Sequence, residues 1–107
     1  MPYLDDASKN VREWANRYKE RTKEDPGVFS VYGYQVVELF AQVAGKTGAS
    51  LTTDNFVKTI EKFTAPRDMF GSDSFSFTPA KHLGSNRARL SQIVNGKWTP
   101  VTDYITD

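Results

Sequence analysis

The segment from Phe29 to Lys46 carries more apolar side chain than a small domain has neighbours to cover. Tyr32, Val36, Leu39, Phe40 and Val43 recur at helical spacing, and Val37 and Ala44 widen the stripe. So broad a band on one helix implies burial on more than one side. Gly33, in its first turns, costs some helix stability and leaves room for another backbone to come close. Gly45 and Gly48 mark its end. Whatever this chain folds into has to place something against more than one face of that helix.

A helix precedes this one and another follows. Asp5, Asp6 and Ser8 offer caps for a first helix reaching about Lys23, with Val11, Trp14, Ala15 and Tyr18 as a single apolar stripe. Its remaining positions (Lys9, Arg12, Glu13, Arg17, Lys19, Glu20, Arg21) mix both signs of charge, which reads as a solvated face rather than a basic recognition helix. Glu24-Asp25-Pro26-Gly27 stops it, because proline cannot continue a helix and glycine tolerates the turn. In the third helix Thr52 is the cap, and Leu51 and Phe56 have the spacing of a hydrophobic staple. Asp54 lies near the positive end of that helix. Phe56, Val57, Ile60 and Phe63 are its expected buried face, and Ala65-Pro66 its expected end.

Beyond Pro66 the period changes. Ser74-Phe75-Ser76-Phe77-Thr78 alternates as a short strand does, and Pro79 to Asn86 reads as a loop. Leu90–Val94 and Trp98–Tyr104 flank Asn95-Gly96, a hairpin signal because both residues accept positive φ. A two-residue loop sets Ile93 opposite Trp98; a four-residue loop sets Val94 there. Pro100 lacks a ladder donor, which places its strand at an edge or a bulge. The expected class is α/β: three helices followed by two or three short antiparallel strands. A chain of this length buries roughly 65% of its unfolded surface. The second helix carries more apolar surface than so small a sheet can cover, which points to an incomplete fold.

Composition removes several functions. With 14 Lys+Arg against 13 Asp+Glu the net charge is +1, far from the basic excess of a polyanion binder, so nucleic acid is not an expected partner. The absence of cysteine excludes disulfides, thiol catalysis and Cys-ligated metals. No apolar run is long enough to span a bilayer. Met1-Pro2-Tyr3, followed by Asp5 and Asp6, does not open a signal peptide. The chain is therefore expected to be either cytosolic or a mature or cut portion of an exported protein.

Catalytic chemistry is hard to assemble. His82 is the single histidine, with Asp73 and Asp103 as possible orienting carboxylates, but local hydrogen bonding in a loop is the better reading. The glycines are scattered rather than gathered into a phosphate loop, and no His/Glu set has metal spacing. Asp5-Asp6 and Glu24-Asp25 sit at helix ends, where caps belong. No enzyme, metal or cofactor is expected. More suggestive is the cluster Phe29, Tyr32, Tyr34 at the start of the second helix. Unpaired amides and the positive dipole end there favour an acidic group, and aromatic rings could wall in an apolar one.

Several segments resemble one family. Asp25-Pro26 through Phe29-Ser30-Val31-Tyr32-Gly33-Tyr34-Gln35-Val36-Val37-Glu38-Leu39 to Ala44-Gly45-Lys46-Thr47-Gly48 is similar to a late helix of type I periplasmic solute-binding proteins, the leucine/isoleucine/valine-binding type that serves ABC importers. Thr53–Phe63 is similar to the family's next helix. Phe70-Gly71-Ser72-Asp73-Ser74-Phe75-Ser76-Phe77-Thr78, followed by His82-Leu83-Gly84, resembles its short strand, and Gln92-Ile93-Val94-Asn95-Gly96-Lys97-Trp98-Thr99-Pro100-Val101 its closing hairpin. Val11–Pro26 fits the preceding helix. The order and spacing of these segments carry the resemblance, which covers essentially the whole chain and corresponds to the last third or so of a full member.

The resemblance implies a single partial domain over residues 1–107, a C-terminal fragment of one ligand-binding lobe. Family members hold a solute between two lobes and pass it to the membrane subunits of an ABC importer; they are not enzymes. An α-amino and α-carboxylate pair would be held largely by the other lobe. The position matching Phe29 supplies an apolar wall, with Ser30 and Tyr32 as neighbours. The ligand class is a branched-chain amino acid, an amide or an aromatic acid, and the location is periplasmic, or extracytoplasmic and membrane-anchored. Such a chain is expected to bind solute poorly alone, to leave the apolar faces of its first two helices bare, and to self-associate. The alternatives are a stand-alone small α/β interaction or ligand-sensing domain and, more remotely, a hydrolase using His82.

Overall fold

The computed structural model describes residues 1–106. Three helices come first: α1 (Lys9–Thr22), α2 (Val28–Thr47) and α3 (Thr53–Ile60). Six short strands follow: β1 (Thr64–Ala65), β2 (Phe75–Ser76), β3 (Arg87–Ala88), β4 (Ser91–Val94), β5 (Lys97–Pro100) and β6 (Ile105–Thr106). They form three separate antiparallel pairs, β1–β2, β3–β6 and β4–β5. The class is the expected α/β one, helices before strands, but no continuous sheet joins the pairs.

Local chemistry sets the boundaries. Ser8 caps α1, its Oγ accepting the Val11 amide at 3.4 Å, while Asp6 accepts the Ser8 amide at 2.9 Å. Asp5, expected as a cap, instead pairs with Lys97 at 2.7 Å. Lys23 ends α1 in the left-handed region (φ 64), donating to the Lys19 carbonyl. Gly48 ends α2 at φ 79, where a side chain would be strained. Thr52 caps α3 by accepting the Asn55 amide at 3.2 Å. That helix stops at Ile60, before the expected Ala65-Pro66. The ring of Pro66 disfavours the helical region for the residue before it, so Ala65 is already extended and pairs with Phe75.

Asn95 (φ 52) and Gly96 (φ 77) form the two-residue turn, and Ile93 lies opposite Trp98. The predicted run from Trp98 to Tyr104 is shorter. After Pro100 the Val101 amide still reaches the Leu90 carbonyl, and Thr102 Oγ1 accepts the Leu90 amide at 3.0 Å. The chain then leaves the hairpin to pair Ile105–Thr106 with β3.

Two packed regions result. In the first, Trp14, Ala15 and Val31 are buried together, with Leu4, Tyr18, Met69 and Phe70 packed on them. The Trp14 ring stacks on Tyr18 (5.6 Å) and meets Phe70 and Tyr34 edge-on (5.1 and 5.5 Å). This corrects the expectation that the apolar face of α1 is bare: Trp14 is only 8% exposed, covered by the chain's own N-terminal segment and the 69–70 loop. In the second, Val43 is fully buried, Phe40 stacks on Phe56 at 5.3 Å, and the Thr47 hydroxyl bonds that of Thr59 at 3.0 Å. The face of α3 expected to be buried (Phe56, Val57, Ile60, Phe63) is only half-buried, because α2 covers it from one side and nothing covers the other.

The molecule is a slab of 47 × 37 × 19 Å with a radius of gyration of 16.0 Å. A compact chain of this length has a radius of about 13 Å. Its accessible surface is 7667 Å², against about 6,000 Å² for a globular monomer of this mass. Exposed apolar side chains on α2 (Phe29, Val36, Val37) and on the β4–β5 hairpin (Ile93, Trp98) are part of that surface.

Candidate functional site

The residues expected to touch a solute are at the start of α2. Gly27 precedes the helix and has no side chain to offer its first amides; Ser30 turns back instead, its Oγ accepting the Gly27 amide at 3.1 Å. Ser30 thus fixes the entry of the chain into α2. Phe29 points outward and is 84% exposed. Tyr32, one turn on, meets it edge-on at 5.8 Å and is also exposed. Phe29 and Tyr32 form a projecting aromatic pair, with Ser30 beneath, rather than an enclosed pocket.

The pair heads a longer apolar row. Phe29, Gly33, Val36 and Phe40 alternate in steps of four and three, so they share one helix face, with Tyr32 and Val37 on its flanks. Val36 is 68% and Val37 66% exposed. The opposite side of α2 is committed: Val31 and Val43 are buried, Gln35 and Leu39 half-buried.

Gln35 ties this committed side down. Its amide donates to Asp68 Oδ2 and Ser72 Oγ, both at 2.5 Å, and the other Asp68 oxygen accepts the Phe70 and Ser72 amides at 3.0 and 3.2 Å. The resulting turn holds Met69 and Phe70 over Trp14. Between it and α2 lies a groove of about 290 Å³ lined chiefly by Tyr34, Gln35, Glu38, Leu39 and Phe75.

His82 is exposed, and its Nε2 is 3.8 Å from Glu61. The carboxylates considered as its partners are occupied elsewhere: Asp103 by Arg67 at 2.8 Å, and Asp73 by Arg87 and Ser85. Among the described residues, the carboxylate near His82 is Glu61, and neither Asp73 nor Asp103 pairs with it. Among the described residues no three His, Cys, Asp or Glu side chains are placed to hold a metal ion.

The tightest polar cluster was not anticipated from the sequence. Asp73 is buried, accepts the Ser85 hydroxyl at 2.5 Å and the Arg87 Nε at 3.0 Å, and also meets Arg87 Nη2. The Arg87 and Ser85 hydrogen bonds lower its pKa to about 2, outweighing the cost of burial. The alternation of Ser85, Arg87 and Arg89 was the available signal, hidden because the segment up to Asn86 reads as loop.

The chain matches the family of periplasmic binding proteins over residues 1–97, and it belongs to that family. No curated protein and no solved structure matches it. The family is one of solute-binding proteins associated with transport; its members are in general non-enzymatic and work outside the cytoplasm. No helix among the described residues is long and apolar enough to cross a membrane.

Proposed function

We propose that this chain is part of the C-terminal ligand-binding lobe of a type I solute-binding protein of the leucine/isoleucine/valine-binding kind. That protein would deliver a branched-chain amino acid, an amide or an aromatic acid to the membrane subunits of an ABC importer from the periplasm or an anchored extracytoplasmic position. Phe29 supplies an apolar wall of the site, Tyr32 braces it from one side, and Ser30 sets its angle through the bond to Gly27.

The observation that carries the reading is the outward row Phe29, Tyr32 and Val36 on a helix whose other side is already packed. An apolar face this continuous is stable in water only when something covers it. In a lobe that closes over solute, the upper end of the row meets the ligand and the lower end meets the rest of the lobe. By itself the chain offers one side of a cleft, so it binds solute weakly and associates with itself through the same face.

Isothermal titration of the product of the whole reading frame with leucine, an aliphatic amide and an aromatic acid tests this. One class is expected to bind saturably, and Phe29→Ala to weaken it about tenfold or more, as removal of a buried aromatic anchor does. Binding of none of them overturns the transport reading. Binding that Phe29→Ala leaves unchanged overturns only the assignment of Phe29.

A further inference from the structure

Three guanidinium groups converge on one tyrosine ring. Arg67 and Arg89 each lie 4.9 Å from the centroid of Tyr104, and Arg87 lies 5.9 Å away. The ring is held in place, its hydroxyl donating to the Gly71 carbonyl at 2.8 Å. Two of the three cations are neutralised: Arg67 by Asp103, and Arg87 by Asp73 through two oxygens. Arg89 has no carboxylate partner and no hydrogen-bond acceptor among the described residues, although it is half-buried.

Its position is nevertheless fixed from two sides. Tyr104 packs against it, and its Nη2 sits 3.1 Å from where a Cβ on Gly71 would be. Gly71 has φ +75, so glycine is needed there both for the backbone and for the approach of Arg89. A guanidinium presents five donors in a planar fork that matches an oxyanion; the Nη groups of Arg89 lie towards Gly71, and the N–H donors on its other sides have no partner among the described residues. Among the described residues Arg67 and Arg87 are each paired with a carboxylate, so the uncompensated positive charge of the cluster lies on Arg89.

We infer that Arg89, held by Tyr104 and Gly71, is a receptor for a small oxyanion group, a carboxylate or a phosphate. The site is separate from the α2 face and does not depend on the solute reading. The anion would accept N–H bonds from Arg89 and supply the oxygens that its cationic neighbours already find in Asp103 and Asp73.

The test follows the Nε–H resonance of Arg89 in the isotopically labelled full chain during titration with phosphate and, separately, acetate, each against chloride at matched ionic strength. A saturable shift with one or both oxyanions, absent with chloride, is expected, and the stronger of the two identifies the oxyanion class. Arg89→Lys, which keeps the charge but loses the fork, should weaken binding about tenfold. Tyr104→Phe should weaken it less, with the circular dichroism of both variants unchanged. Shifts no larger than those in chloride overturn the inference. So does an Arg89→Lys chain whose melting temperature rises with phosphate as much as that of the parent, because linkage then places the anion elsewhere.

Discussion

Helices α1 and α2 are both amphipathic, α1 entered through the Ser8 cap and α2 through Gly27 with Ser30 turned back onto it, and they end in different circumstances. The apolar stripe of α1 is narrow, and Val31 of α2, Leu4 and the Met69–Phe70 loop are together enough to close it. That of α2 runs around most of the helix. One side is taken by Val31 and Val43, and the outward row from Phe29 to Val36 is left in solvent, with Phe40 at its end stacked on Phe56. The number of neighbours a helix needs is set by the width of its apolar face rather than by its length. A chain can therefore satisfy one helix completely and leave the next half-clothed. On the proposed reading, the bare half is the side from which to look for a covering partner or the ligand.

The largest effects should separate these two helices. Trp14→Ala empties the centre of the closed region and is expected to cost about 3–5 kcal/mol, enough to unfold a domain this thin. Val36→Ala, on the open face, is expected to change stability by less than about 0.5 kcal/mol. Urea unfolding followed by helical circular dichroism measures both, and similar costs would mean that α2 is as well covered as α1. Val36→Glu is the converse change. It should leave helical content alone and weaken self-association about tenfold or more, read by sedimentation velocity across micromolar concentrations, because a charge is then driven into a dehydrated contact. A parent chain that sediments as a monomer throughout that range removes the predicted contact altogether.

A third effect lies outside both helices. Asp73 has its pKa lowered to about 2 from a model-compound value of 3.8. A carboxyl depressed on folding contributes stability that is fully present above the unfolded value and is lost as the pH falls through the folded one. The β3 end of the molecule should therefore loosen between about pH 4 and pH 2. Asp73→Asn should make the chain less stable at neutral pH and flatten that decline, with the residual slope coming from Asp5 and Asp103, which their own cationic partners and, for Asp103, the Tyr104 amide also lower. Thermal melts across this range decide it; an unchanged slope would show that the Arg87 pair contributes nothing to folding.

How much of this was legible follows from the range of the forces involved. Caps and turns are local, so Ser8, Thr52, Gly48 and the Asn95-Gly96 turn could be read from neighbouring residues alone. The covering of Trp14 could not, because Met69 and Phe70 reach it through a turn that Gln35 pins from more than thirty positions away in sequence. Shorter but still non-local separations, 14 positions for Asp73 and Arg87, hid that pair and the β3–β6 pairing as well. Strands of two residues carry almost no periodic signal, so β1, β3 and β6 had nothing to announce them. Within the candidate site, the aromatic cluster and the family likeness rather than any periodicity singled out Phe29; the spacing of apolar residues gave one broad stripe on α2 but not which part of it, Val43 and Leu39 or Tyr32 and Val36, its own chain would cover.

The smallest effect is the sharpest probe of the open face. Gly33 lies in the middle of the bare row of α2, in helical conformation, and a Cβ built on it meets nothing within 4 Å. Glycine at such a position costs roughly 0.5–1 kcal/mol relative to alanine, from backbone entropy alone. If the chain as described were complete, Gly33→Ala would simply raise stability by that amount and change nothing else. If another backbone seats against this row, the added methyl occupies the space that allowed its approach, and association weakens while the monomer gains. Measuring the urea midpoint and the sedimentation profile of one variant thus separates two uses of a single residue. A gain in stability with unaltered association would mean that nothing approaches α2 at Gly33, and that the partner of the row, whether solute or lobe, rests on its aromatic end at Phe29.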